Sequence, residues 1–219
     1  MKKNILNGKT IFFLGSSVTH GENGRSMAEL LGEMYGCNIV KSAVPGTTIA
    51  GPDDDSYVAR FDKLIESGMK APDVFVCQLS TNDSLRPEKF GSLASKEVRR
   101  DEEFDVNTFL GGTEHIISVA KRVWKTRILF YTNSYFDRPL YAEMVRAIKI
   151  LAEVYDFSVL DMFTDKKFND ITPEKRKEYM SDDIHPTIEG YRDWWLPRFV
   201  DILQKCLKPV IIQPVGLLA

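Results

Sequence analysis

An α/β fold with about five parallel strands and helices on both faces is what this sequence predicts. Two patterns carry the prediction. Short apolar runs alternate along the chain with longer stretches whose apolar residues recur at helical spacing. Clusters of Gly, Ser, Thr, Asn and Pro follow several of the apolar runs. Strands separated by helices predict βαβ units, a parallel sheet and right-handed crossovers.

Ile11-Phe12-Phe13-Leu14 is the first strand, a continuous apolar run suited to burial on both faces. Gly15 lets the chain turn sharply where the run ends. Residues 26–35 read as a helix, with Met27, Leu30, Leu31 and Met34 on one buried face, and Gly36 stops it. The second strand spans 38–42. A loop over 43–55 holds Pro45-Gly46-Thr47-Thr48 and Gly51-Pro52. Residues 57–67 form a helix that turns Val58, Phe61, Leu64 and Ile65 inward. The clearest central strand is 73–79, ending at Ser80-Thr81-Asn82-Asp83. Residues 84–106 are polar and include Pro87 and Gly91, which predicts a long excursion with room for a short helix. Such a loop is often functional, a mobile insertion being the other reading.

Residues 108–125 form a helix through Ile116, Ile117, Val119, Ala120 and Val123. The fourth strand is 127–132, a strong helix covers 139–155, and the fifth strand is 159–162. A short helix fits 173–179, and a longer one runs from Pro186 to about residue 207. No repeat, low-complexity tract or linker divides 1–219, so one domain is expected. The apolar tail 209–219 reads equally as a segment against its own domain or as a contact that would make a homo-oligomer.

Composition narrows the function. A chain of 219 residues is long enough to bury a large core. Its 29 Lys and Arg nearly balance 31 Asp and Glu, so no nucleic-acid partner is expected. Cys37, Cys77 and Cys206 form no CxxC pair, which argues against a disulfide framework or zinc site and for a reducing compartment. Met1-Lys2-Lys3 could open a secretory signal, but Asn4, Asn7, Gly8 and Lys9 break the apolar region it needs. No stretch reaches the ~20 apolar residues of a membrane span. A cytoplasmic protein without membrane attachment is expected.

Ligands of open parallel sheets bind beyond the carboxyl ends of the strands. Ser17, on the turn after the first strand, is the nucleophile candidate. Three histidines are available as a base. His115 lies inside a helix and reads as structural or surface. His20 is close to Ser17 in sequence, which does not aim it, and reads as a pocket-rim residue. His185 sits in Ser181-Asp182-Asp183-Ile184-His185-Pro186, with Asp182 three residues before it. A tight turn at that spacing lets the carboxylate accept the Nδ1 proton and leaves Nε2 as base. A plain helix cap, with the histidine incidental, is the competing explanation, and Asp-x-x-His taken alone favours the cap. Gly46 and Asn82 follow the second and third strands and are candidate oxyanion donors. Ser17, Gly46 and Asn82 would then share one edge of the sheet.

Four blocks in this order carry a resemblance: Gly15-Ser16-Ser17-Val18-Thr19, Ala43-Val44-Pro45-Gly46-Thr47-Thr48, Ser80-Thr81-Asn82-Asp83, and Asp182-Asp183-Ile184-His185-Pro186. The sequence resembles the SGNH hydrolases, also called the GDSL-type esterase and lipase superfamily. The resemblance implies a flavodoxin-like three-layer α/β/α sandwich, with Ser17 as nucleophile, His185 as base and Asp182 as its orienter. It implies an oxyanion hole of the Ser17 N–H, the Gly46 N–H and the Asn82 side chain, with no metal or organic cofactor.

Two departures stand out. Ser16 replaces the usual Asp, and its hydroxyl is expected to take over a backbone hydrogen bond. Ser80 replaces a usual Gly and is expected to narrow the site. Asp183 stands in reserve for Asp182. The expected activity is hydrolysis of short acyl esters, including acetyl groups on sugars. A non-catalytic binding module and a lipase or thioesterase of longer acyl preference are the alternatives. A metal at Asp53-Asp54-Asp55 or around His185 lacks a full ligand set.

Overall fold

In this computed structural model, residues 4–51, 53–94 and 104–208 are described. Five strands form one parallel sheet: β1 (Thr10–Gly15), β2 (Asn38–Ala43), β3 (Val74–Gln78), β4 (Arg127–Tyr131) and β5 (Ser158–Leu160). Their spatial order is β2-β1-β3-β4-β5. The chain leaves β1 to one side for β2, then returns to the other side for β3. That reversal opens a crevice at the carboxyl ends of β1 and β3, where doubly wound sheets bind ligands.

The alternating side chains of β1, β3 and β4 feed two cores. Phe12, Leu14, Phe75, Cys77, Ile128 and Phe130 face one, packed by α3 (Tyr57–Glu66), α4 (Phe109–Val123) and α5 (Pro139–Tyr155). Ile11, Phe13, Val74, Val76, Leu129 and Tyr131 face the other, packed by α2 (Met27–Tyr35) and α8 (Leu196–Leu207). The α/β sandwich expected from the alternation of runs is the one found.

Local chemistry sets the ends. A capping box formed by Ser26 and Glu29 starts α2, and Thr108 caps α4 through the Gly111 N–H. Four further short elements are α1 (Ser17–His20), α6 (Lys166–Asn169), α7 (Pro173–Tyr179) and a six-residue π-helical segment, Gly190–Trp195.

Several expectations need correction. The helix after Pro186 is not uniform: the π segment precedes α8. Pro197, at the start of α8, has no N–H to give back to the preceding turn, which favours the wider winding there. Met34 is 55% exposed and Val123 45% exposed, because both lie in the last turns of their helices, at the margin of the buried face. The fifth strand is 158–160 rather than 159–162. Residues 83–85 and 87–89 form 3₁₀ turns. Residues 95–103 of the excursion and the tail 209–219 lie outside the described residues. Among the described residues, no helix is long and apolar enough to cross a membrane.

Candidate active site

The turn after β1 places Ser17 first in α1. A Cβ on Gly15 would lie 1.8 Å from Thr19 Oγ1 and 2.8 Å from Gln78 Oε1, so only glycine fits. Gln78, the last residue of β3, is 1% exposed. Its Oε1 accepts from Ser16 N at 2.9 Å, Thr19 N at 3.1 Å and Thr19 Oγ1 at 2.7 Å. The Ser16 hydroxyl does not cap the turn as expected; it accepts from Gln78 Nε2 at 3.3 Å. A glutamine from the neighbouring strand therefore holds the turn. Its signal in the sequence was a polar residue closing an otherwise apolar central run.

The loop before the last helix brings His185 to the same edge. Asp182 Oδ1 accepts from the backbone N–H groups of Ile184 and His185, both at 2.7 Å. Asp182 Oδ2 lies 2.7 Å from His185 Nδ1, and His185 Nε2 lies 2.8 Å from Ser17 Oγ. With Oδ2 accepting the Nδ1 proton, Nε2 is left to accept from the serine hydroxyl. Partial burial acts to raise the Asp182 pKa, but hydrogen bonds from the His185 ring and from two backbone N–H groups outweigh it and hold the carboxyl below its ordinary value. Asp183 is exposed and takes no part. Two ties fix the loop: Asn133 Nδ2 donates to Ile184 O at 3.1 Å, and Glu22 Oε2 accepts from Ile188 N at 2.9 Å.

Gly46 and Asn82 follow the ends of β2 and β3, the strands on either side of β1. Gly46 has φ +81° and nothing within 4 Å of a Cβ position, so a side chain there would meet open space. Asn82 Nδ2 donates to Thr47 O at 2.9 Å, which uses one amide hydrogen and leaves the other. Asp83, 3% exposed, accepts from Ile49 N at 2.8 Å and Ala50 N at 3.3 Å. Burial pushes its carboxyl above the ordinary value, despite those bonds. Ser80 does not narrow the site. It is fully buried, and its hydroxyl accepts from the Asn82 and Asp83 N–H groups.

A cavity of about 160 Å³ opens at Ser17 and His185, walled in part by His20, Glu22, Pro45 and Tyr191. The Tyr191 hydroxyl donates to Val18 O at 2.8 Å, bracing α1 from the π segment. His115 stands away from this edge, with Nε2 2.9 Å from Asp62 Oδ1 between α4 and α3. Trp194 and Trp195 are both buried in the core behind the site. Among the described residues, no group of three or more His, Cys, Asp or Glu is placed to hold a metal ion.

Residues 13–192 match the GDSL-like Lipase/Acylhydrolase family. The chain belongs to that family. Its fold is that of solved members and neighbours. A protein from Lactobacillus plantarum, 18% identical, superposes with a TM-score of 0.73 over 91% of this chain and 98% of its own. A member of the lipolytic G-D-S-L family from Veillonella parvula DSM 2008 is 14% identical, with a TM-score of 0.65 over 90% and 98%. An acetyl xylan esterase is 16% identical, with a TM-score of 0.58 over 91% and 100%. At these identities the likeness is one of fold. No curated protein matches the chain.

Proposed function

We propose that this GDSL-family protein is a serine ester hydrolase acting on short-chain acyl esters, with acetyl groups on carbohydrate as the preferred class. The carrying observation is the unbroken relay from Asp182 through His185 to Ser17, with links of 2.7 and 2.8 Å. In this reading His185 Nε2 takes the Ser17 proton as Oγ attacks the ester carbonyl. The Ser17 and Gly46 N–H groups and the free Asn82 amide hydrogen receive the oxyanion. His185 then protonates the departing alcohol, leaving an acyl-serine. Water, deprotonated by the same imidazole, attacks that acyl group, and the serine recovers its proton as the acid leaves. Asp182 keeps the ring in the required tautomer and offsets its charge.

The small cavity beside Ser17 supports a short acyl group. The similarity of fold to an acetyl xylan esterase agrees with an acetylated sugar as the source. Three free thiols, two of them buried, support a reducing, cytoplasmic setting.

Turnover of p-nitrophenyl acetate tests the reading. Ser17→Ala should lower it by at least about a thousandfold, and a fluorophosphonate should label Ser17 in the wild type. Unchanged turnover in Ser17→Ala refutes it. A series of p-nitrophenyl esters should show rates falling as the acyl chain lengthens; preference for long chains overturns the substrate class.

A further inference from the structure

Behind the oxyanion site lies a charged side chain that the reaction does not touch. Arg60 projects from α3 and is 8% exposed. All five of its N–H donors are used. Nε donates to Asp55 O at 2.9 Å. Nη1 donates to Ser42 O at 2.7 Å and Ser42 Oγ at 2.8 Å, at the end of β2. Nη2 donates to Gly15 O at 2.8 Å and Thr47 Oγ1 at 3.2 Å. Its guanidinium also lies 5.2 Å from the centre of the Tyr57 ring. No described carboxylate forms an ion pair with it. Burial lowers its pKa from the ordinary arginine value, yet a guanidinium stays charged at neutral pH.

The two acceptors of Nη2 are informative. Gly15 O belongs to the peptide whose other end, Ser16 N, is held by Gln78. That peptide is fixed on both sides, one residue before Ser17. Thr47 follows Gly46 directly, and its hydroxyl donates to Val44 O at 2.7 Å, closing the turn around Gly46. One planar nitrogen thus ties together the two segments that carry the backbone oxyanion donors. Burying an unpaired charge is costly, and neutral amides could pin two loops with less desolvation. A planar five-donor fork meets these acceptors at fixed angles, which an ammonium with three donors does not reproduce. Its positive charge in a low-dielectric setting also favours negative charge nearby, which appears only as the ester carbonyl is attacked.

We infer that Arg60 is a positioning residue for ester hydrolysis, holding the peptide before Ser17 and the turn after Gly46 at the spacing the oxyanion requires. This rests on the ester-hydrolase reading. The role is to sharpen transition-state binding while leaving ground-state binding nearly alone.

The experiment measures kcat and KM for p-nitrophenyl acetate, together with inhibition by a trifluoromethyl ketone, which forms a tetrahedral adduct, and by acetate, which does not. Variants are Arg60→Lys, Arg60→Gln, Thr47→Val and Thr47→Ser. Arg60→Lys should lose kcat on the order of a hundredfold, as expected when a reacting group is displaced by about 1 Å. Its KM and acetate inhibition should stay within about threefold, and trifluoromethyl ketone affinity should fall in parallel with kcat. Arg60→Gln should lose at least as much. Thr47→Val should show the same pattern at roughly tenfold, and Thr47→Ser should restore it. Folded Arg60→Lys and Thr47→Val with wild-type kcat and ketone affinity overturn the inference. If the Arg60 variants do not fold, the Thr47 pair decides by the same criterion. A wild type that neither turns over ester nor reacts with fluorophosphonate removes the parent reading and this inference together; an active wild type with unmoved variants removes this inference alone.

Discussion

Gln78 and Thr19 are joined twice: one side-chain oxygen of Gln78 accepts both the Thr19 backbone N–H, at 3.1 Å, and the Thr19 hydroxyl, at 2.7 Å. The same oxygen holds Ser16 N, so the turn presenting Ser17 hangs from the neighbouring strand. Tyr131 OH, 2.6 Å from Thr19 Oγ1, extends this buried network to β4.

Gln78→Met should keep the volume and lose the acceptor. Two buried N–H groups would be left unpaired, at about 1–3 kcal/mol each. Urea unfolding should show a loss of roughly 3 kcal/mol, with a larger fall in kcat than in ester affinity. Wild-type stability in this variant would contradict the role given to the glutamine.

Two glycines should respond differently to the same added methyl. Gly15→Ala drives a Cβ into Thr19 and Gln78, and Thr19 is not free to withdraw. It should give insoluble protein or lose at least about 3 kcal/mol. Gly46→Ala meets no neighbour and bears only the left-handed backbone penalty of about 1–2 kcal/mol. It should fold, with a lower melting temperature and impaired turnover. Comparable solubility and melting curves for the two would be the contrary result.

Asp182→Asn should lower kcat by about a thousandfold or more, because an amide favours the wrong imidazole tautomer. Fluorophosphonate labelling of Ser17 should slow with it. Asp183→Asn should leave both within about twofold, since Asp183 is exposed and outside the relay.

Acid should destabilise the fold partly through Asp161. Burial acts to raise its pKa, but hydrogen bonds from Lys149 Nζ at 2.7 Å and from the Thr164 N–H and hydroxyl hold it below 3.8. The folded protein therefore binds fewer protons at this carboxyl than the unfolded chain does. Its contribution is present above the ordinary aspartate pKa and lost as pH falls through the depressed one. Melting temperatures measured downward from about pH 5 should fall less steeply in Asp161→Asn than in the wild type. Parallel slopes would exclude the linkage.

The strands and their parallel pairing were legible because the central runs are long, apolar and sharply ended, as in Ile11-Phe12-Phe13-Leu14. The sequence also placed Ser17, Gly46 and Asn82 beyond successive strands, since chain direction in a parallel sheet puts those ends on one edge. What escaped was long-range pairing between side chains. Nothing local to Gln78, Arg60 or Tyr191 announces partners 62, 45 and 173 residues away. Ser16 belongs with them, since its partner is a glutamine on the neighbouring strand; Ser80 differs, because its hydroxyl turns back on its own loop to the Asn82 and Asp83 N–H groups. The π segment was hidden because helical spacing alone cannot distinguish one surplus residue within a continuous amphipathic stretch.

That surplus residue keys the back of the molecule to the front. A π turn shifts the phase of the residues after it by about 100° relative to a regular helix. At the start of the segment, Tyr191 reaches forward to Val18; beyond it, Leu196, Phe199 and Leu203 seat against the sheet. A uniform helix would satisfy one of these orientations and spoil the other. The last helix therefore works as a cam: trimming a single residue between 190 and 195 would turn its greasy side outward or swing the tyrosine off the serine's helix, so length here is as constrained as chemistry.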